Sequence, residues 1–276
     1  MLEPADALPE SDAELLALAD PTDLPPASEG LFRDGGWLRR ISGERVLLFG
    51  GGRALLLEIA HPLVAAGVAH HSDFRNDPFG RLQRTLDAIS TLTFGDRDRA
   101  LAAARRVEAA HARVRGVLHE TVGSFSAGTP YDGRAPDLVR WVWATLVDTA
   151  LVVYERFVEP LDASAREAYY ADQQVIARLL GVPPDRVPGS YAAFRAYFEG
   201  LVESEALSVG REAREIAEAV LHPPGGLGGA GTLRLVTAGL LPERLREAFA
   251  LPWDAKRAGR FDALAESVRS LRPPAP

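Results

Sequence analysis

Glutamate and histidine stand three apart twice in this chain, as Glu58-x-x-His61 and Glu108-x-x-His111. On a helix that spacing puts a carboxylate and an imidazole on one face. Two such pairs, with one further Glu from each of two other helices, make the ligand set of ferritin-like di-iron proteins. Glu155, Glu199 or Glu203 could supply the extra carboxylates. A single inward histidine supports different chemistry. It can be a ligand to a metal ion. It can also be a hydrogen-bonded core residue with no ligand at all.

Val107, Val114, Leu118 and Val122 recur around His111 at helical spacing, which predicts a long helix with His111 facing inward. His61 shares the stripe of Leu57, Val64 and Val68 and stands before Pro62, which predicts a kinked helix. His70 and His71 close that helix, where the negative end of the dipole favours cations. His119 lies on a more polar flank, and His222 precedes Pro223 in a loop. Arg81 and Thr85 share a helix face beside Leu82, Leu86 and Ile89. That pair suits an anionic or oxygen ligand, or a solvated edge. Thr145 and Asp148 interrupt the apolar run Trp141–Val153, so their polar atoms need partners from the protein or from a cofactor.

Composition narrows these options. The 276 residues contain no cysteine, and the one methionine is Met1. Disulfides, iron–sulfur clusters, cysteine zinc sites, c-type haem attachment, thiolate-ligated haem and a cysteine nucleophile are all excluded. A methionine axial ligand goes with them, so any transition metal must be held by imidazole and carboxylate. The net charge is −7, with a single lysine, Lys256, and 30 arginines interleaved with acids. No basic stripe for nucleic acid results. No G-x-S-x-G is present. Gly50–Gly52 does not continue as G-x-G-x-x-G, since Leu55 stands at the third glycine, so it reads as a closely packed helix start.

The elements that must position these residues are helical. Helices are expected over Gly52–Ala69, Pro78–Leu92, Asp96 or Asp98 to Val122, and from Pro136 through Trp141–Glu155. Further helices are expected from Asp162 or Ser164 to Gly181, then over Tyr191–Leu207, Arg211–Val220, Arg234–Phe249 and Lys256–Leu271. Gly123 to Pro130 and Pro223 to Gly231 read as loops, and Arg45–Phe49 as a strand or a helix. Residues 1–30, acidic and rich in proline, are expected to form a flexible tail with a short helix at Asp12–Leu18. Residues 31–276 are expected to form one all-α domain. The longest apolar runs, Ala54–Ala69 and Trp141–Val153, fall short of the roughly 20 residues that span a bilayer. With no secretory signal visible either, a cytoplasmic location is expected.

Several long phrases resemble one family. They run from Ala60-His61-Pro62 to Ser72, from Phe74 through Asp77-Pro78 to Thr85, from Arg105 to Gly116 around His111, over Trp141–Asp148, and over Tyr154–Phe157. Over about Leu38 to Pro188 the chain is similar to the MpaB / rubber-oxygenase (latex-clearing protein) catalytic-domain family. The resemblance implies a helical fold related to globins that binds haem b non-covalently. It implies His111 as the proximal ligand, in its R-x-x-x-x-H-A-x-V-R context. The family's Arg-x-x-x-Thr pair falls on Arg81 and Thr85, and a later threonine on Thr145. Rubber-cleaving members carry a lysine where Arg84 stands, and many bacterial relatives a histidine at Trp143. The activity implied is dioxygen-dependent cleavage of an apolar, isoprenoid or lipid-like substrate, with an unidentified electron donor. His61, Arg81, Thr85 and Thr145 are the expected cofactor contacts beside His111, and Arg81, Arg84 and Thr85 the expected catalytic side. A di-iron oxidase built on Glu58, His61, Glu108 and His111, or a non-catalytic binder of haem or apolar ligands, are the alternatives.

Overall fold

A computed structural model of the chain describes residues 29–73, 78–222 and 229–271. The expected tail, its short helix and most of the Pro223–Gly231 loop lie outside the described residues. Among those described, the chain is all-α apart from one small hairpin, with twelve α-helices. In order these are α1 (Trp37–Ser42), α2 (Gly51–Ala60), α3 (Pro62–His71), α4 (Pro78–Phe94), α5 (Arg97–His111), α6 (Pro136–Phe157) and α7 (Ala163–Leu179). Then come α8 (Tyr191–Val202), α9 (Arg211–Leu221), α10 (Ala230–Leu240), α11 (Glu243–Ala248) and α12 (Ala255–Ser270). Among the described residues, no single helix is long and apolar enough to cross a membrane.

The 22-residue α6 runs through the core. Trp141, Trp143, Val147, Leu151, Tyr154 and Phe157 are all buried along it, against α1, α2, α7 and α12. The polar residues that interrupt it are satisfied by the protein. The Thr145 hydroxyl donates back to the Val142 carbonyl at 2.7 Å, and Asp148 accepts from Arg53 and Arg195. Aspartate starts helices where the sequence places it. Asp96 caps α5 and Asp162 caps α7, each accepting from a backbone N–H three residues on.

Three expectations are corrected by local chemistry, and the choice left open over Arg45–Phe49 falls to helix, since Arg45–Gly50 is a 3₁₀ helix. Gly52–Ala69 is two helices, not one kinked helix. Pro62 disfavours helical backbone at the preceding residue, and His61 accordingly takes φ −81°, ψ 118°. The axis turns by 109° there. The helix holding His111 stops at that residue instead of running to Val122. Arg115–Val117 (β1) then pairs antiparallel with Pro130–Asp132 (β2), Gly116 facing Tyr131. A Cβ on Gly116 would lie 2.5 Å from the Tyr131 hydroxyl, so only glycine lets the strand pass that ring. The expected helix over Arg234–Phe249 is divided at Leu241-Pro242, where proline forbids continuation.

Candidate functional site

A cavity of about 600 Å³ opens between α3, α4, α5, α6 and the hairpin. Its size falls within the range of small-molecule and cofactor sites. The walls are mainly aliphatic: Leu63, Val64 and Val68 from α3, Ala88, Ile89 and Leu92 from α4, Val107 from α5, and Val139, Val142 and Leu146 from α6. Buried Trp143 closes one side, its indole N–H donating to the Gln173 carbonyl at 3.1 Å. An apolar lining of this kind excludes water and strengthens the few polar interactions inside it.

Polar groups are a minority on the wall. His111 stands at the C-terminal end of α5, one turn beyond Val107, and both line the cavity. Thr85 and Arg84 face it from α4, and Arg106 from α5. Arg84 and Arg106 are both exposed, so the cations sit on the solvent side. Glu58, His71, Ser72, Asp87, Thr91 and Tyr131 complete the polar set. The Tyr131 hydroxyl lies 2.9 Å from His70 Nδ1 and 3.2 Å from His71 Nε2. Burial, with the nearby Glu212 carboxylate adding to it, pushes the Tyr131 phenol above its ordinary value. His71 Nε2 also sits 3.0 Å from the Arg115 carbonyl. A carbonyl can only accept, which assigns the proton to that nitrogen.

The cavity thus brings together His111, Thr85 and Arg84 from the expected site. The Arg81 side chain lies outside the described residues, although its backbone is part of α4. Thr145 is fully buried but turned onto its own helix, and it is not on the wall. His61 is off the wall as well. Its Nδ1 accepts from the Leu63 N–H at 3.3 Å as the N-cap of α3, and its ring lies 5.1 Å from that of Phe125. Burial lowers its pKa to about 4, partly offset by Asp137. The neutral imidazole that a cap requires is therefore the form the fold favours.

The di-iron arrangement is not assembled. Its first pair needs Glu58 and His61 on one helix, and the break at Pro62 removes His61 from it. Glu108 pairs with Arg134 at 3.6 Å, Glu155 accepts from Arg166, and Glu199 pairs with Arg195. Among the described residues, one trio of histidine and acidic groups has its ligating atoms within 4.8 Å of one another, and it is His70, His119 and Glu212.

Sequence reasoning did not single out Tyr131, His71 or Arg106 as wall residues. A signal existed for Arg106, which lies one helical turn before Ala110 and near His111. Tyr131 sits in a three-residue strand too short to show alternation.

The family model of the ER-bound oxygenase mpaB/B'/rubber oxygenase catalytic domain matches residues 38–270. A comparison with curated proteins gives no match. A solved structure of latex clearing protein in the closed state superposes with a TM-score of 0.60 at 16% identity, covering 95% of this chain and 73% of that one. At that identity the likeness speaks to the fold, and it agrees with the helical architecture described above. Most of the chain lies within the family match, so it belongs to the mpaB/rubber oxygenase catalytic-domain family.

Proposed function

We propose that this chain is a haem-b-dependent oxygenase that uses dioxygen on an apolar, isoprenoid or lipid-like substrate, with His111 as the iron ligand. The observation that carries this reading is an imidazole at the end of a helix on the wall of a 600 Å³ aliphatic cavity. The donor set suits the group. Histidine is an available axial ligand in a chain without cysteine or internal methionine. Arg84 and Arg106 offer guanidinium groups to carboxylates on the solvent side, and the remaining wall matches a flat apolar macrocycle. When bound, haem iron supplies the oxygen-activating chemistry that amino-acid side chains lack.

The protein's own part is positioning. His111 sits at the negative end of the α5 dipole, which stabilises developing positive charge on its ring. Thr85 lines the cavity from α4 and, with the Arg81 and Arg84 that the family resemblance implies, makes up the expected catalytic side. Thr145 and His61 are better described as supports of α6 and α3 than as cofactor contacts. Leu, Val and Ile side chains hold an apolar chain and exclude water, while Trp143 limits how far it can enter.

An absorption spectrum of the purified protein, with haem b supplied, tests the reading. An intense Soret band that disappears in His111→Ala is the expected result. A protein that takes up no haem overturns it, and two irons per chain without porphyrin would restore the di-iron alternative. Haem uptake without oxygen-dependent product from any isoprenoid or fatty-acyl compound would leave a non-catalytic binder.

A further inference from the structure

Outside the cavity, three chain segments meet at the surface with nitrogen and oxygen donors. His70 is the next-to-last residue of α3, His119 follows β1, and Glu212 lies in the first turn of α9. One ligating atom from each lies within 4.8 Å of the others. His70 Nε2 is 2.8 Å from Glu212 Oε1, and the two imidazole rings stack with centroids 4.5 Å apart. We propose that His70, His119 and Glu212 form a binding site for a first-row divalent transition ion of the Zn²⁺ class. The site is independent of the oxygenase reading.

Two imidazoles and a carboxylate match the ligand preference of that class, and three protein ligands leave a position for water. Tetrahedral Zn²⁺ with bonds of about 2.0–2.1 Å needs donor atoms roughly 3.3 Å apart. The His70–Glu212 pair has to open slightly and exposed His119 has to swing inward, both of which are side-chain rotations. The backbone beneath is already fixed. The Arg211 N–H donates to Glu120 Oε1 at 3.3 Å, which ties the segment of His119 to the start of α9. The Arg211 guanidinium is engaged by Glu120 and Glu215, so it does not compete for Glu212. The Glu212 side chain is only 13% exposed and so is restricted in its rotamers.

The surroundings of His70 supply the outer-shell partner that ligating histidines usually have. With a metal on Nε2, Nδ1 carries the proton and donates to the Tyr131 hydroxyl, which lies 2.9 Å away. His71 Nε2, committed as a donor to Arg115, cannot accept from Tyr131 either. The phenolic proton then has neither imidazole as its acceptor.

Zn²⁺ binding to the full chain, measured by competition with a chromophoric chelator, tests the site. One equivalent is expected. Affinity should fall roughly a hundredfold or more in His119→Ala and in Glu212→Gln, beyond the 10–100-fold that loss of an outer-shell partner costs. His119 is exposed, so its removal leaves the fold intact, which a melting curve checks. His222→Ala, which breaks a separate surface pair with Glu218, should leave binding unchanged. Wild-type uptake no greater than that of His119→Ala overturns the proposal, as does uptake that disappears in His222→Ala.

Discussion

Arg53 donates to Asp148 at 2.5 Å with both side chains only 2–3% exposed, joining α2 to the middle of α6. The same guanidinium reaches the Thr149 hydroxyl at 2.5 Å and the Leu240 carbonyl at 2.8 Å, so α10 is tied in as well. Asp148 accepts a second guanidinium, from Arg195 on α8, which is about one-third exposed. A buried charge that loses its partner is costly, whereas a partly solvated one can turn to water. Asp148→Ala should therefore destabilise the protein by about 3–5 kcal/mol. Arg195→Ala should cost about 1–2 kcal/mol. Urea denaturation of both variants checks this, and equal losses would contradict the ranking.

The start of α2 depends on the absence of one methyl group. A Cβ on Gly52 would lie 2.1 Å from Thr237 Oγ1, so α2 and α10 meet with no room between them. Gly52→Ala should destabilise by about 1–3 kcal/mol through overpacking, despite the better helix propensity of alanine. The Thr237 hydroxyl is buried and has no hydrogen-bond partner among the described residues. Thr237→Ala removes the obstacle without breaking a bond. A double-mutant cycle should show the pair coupled by about 1 kcal/mol or more, and additive effects would refute direct contact.

His61 predicts an acid-sensitive fold. The folded protein holds its pKa near 4, against 6.5 for the unfolded chain. Between those values the unfolded state binds more protons, so stability is full above about pH 6.5 and is lost as pH falls toward 4. The loss is roughly 3 kcal/mol. Asp172 acts in the opposite sense. Burial raises its carboxyl to about 6, with Arg33 opposing, so its cost grows as pH rises from 3.8 through 6. Comparing His61→Asn with wild type cancels the Asp172 contribution. Asparagine retains an oxygen to accept from the Leu63 N–H, so the cap survives while the titration disappears. Denaturation between pH 4 and 7 should show a flatter acid limb in His61→Asn. An unchanged slope would assign the sensitivity elsewhere.

Much of this architecture is legible in the sequence, because its punctuation is local. Pro136 and Gly51-Gly52 act through their own backbone and Asp162 through a carboxylate that accepts the nearby Ala165 N–H, and the helices begin where they stand. Pro62 is legible too, but only as a kink, whereas the constraint on His61 ends the helix altogether. The hairpin could not be seen in this way. Its strands are three residues each, and they depend on Gly116 passing Tyr131, a contact between positions far apart in the chain. His111 shows how an inference can outlast one of its reasons. Leu118 and Val122 are beyond the end of its helix, yet Val107 and Val114 do share the cavity wall with it.

Val107 offers a test that leaves His111 and every polar wall group in place. It lies one turn before His111 on α5 and faces the same cavity. Enlarging a side chain in a close-packed core forces strain, typically 1–3 kcal/mol. Here the added atoms of Val107→Phe enter a space of about 600 Å³, so thermal stability should change little. Ligand volume is what they displace. If the cavity is the haem site, haem uptake by Val107→Phe should fall at least about tenfold, or about 1.4 kcal/mol in binding. Its melting temperature without haem should match wild type. Uptake equal to wild type would place haem outside this cavity, even if His111→Ala abolished the Soret band. A large fall in melting temperature would show instead that the wall is already close-packed. The two measurements together separate loss of a ligand atom from loss of the space that receives the macrocycle.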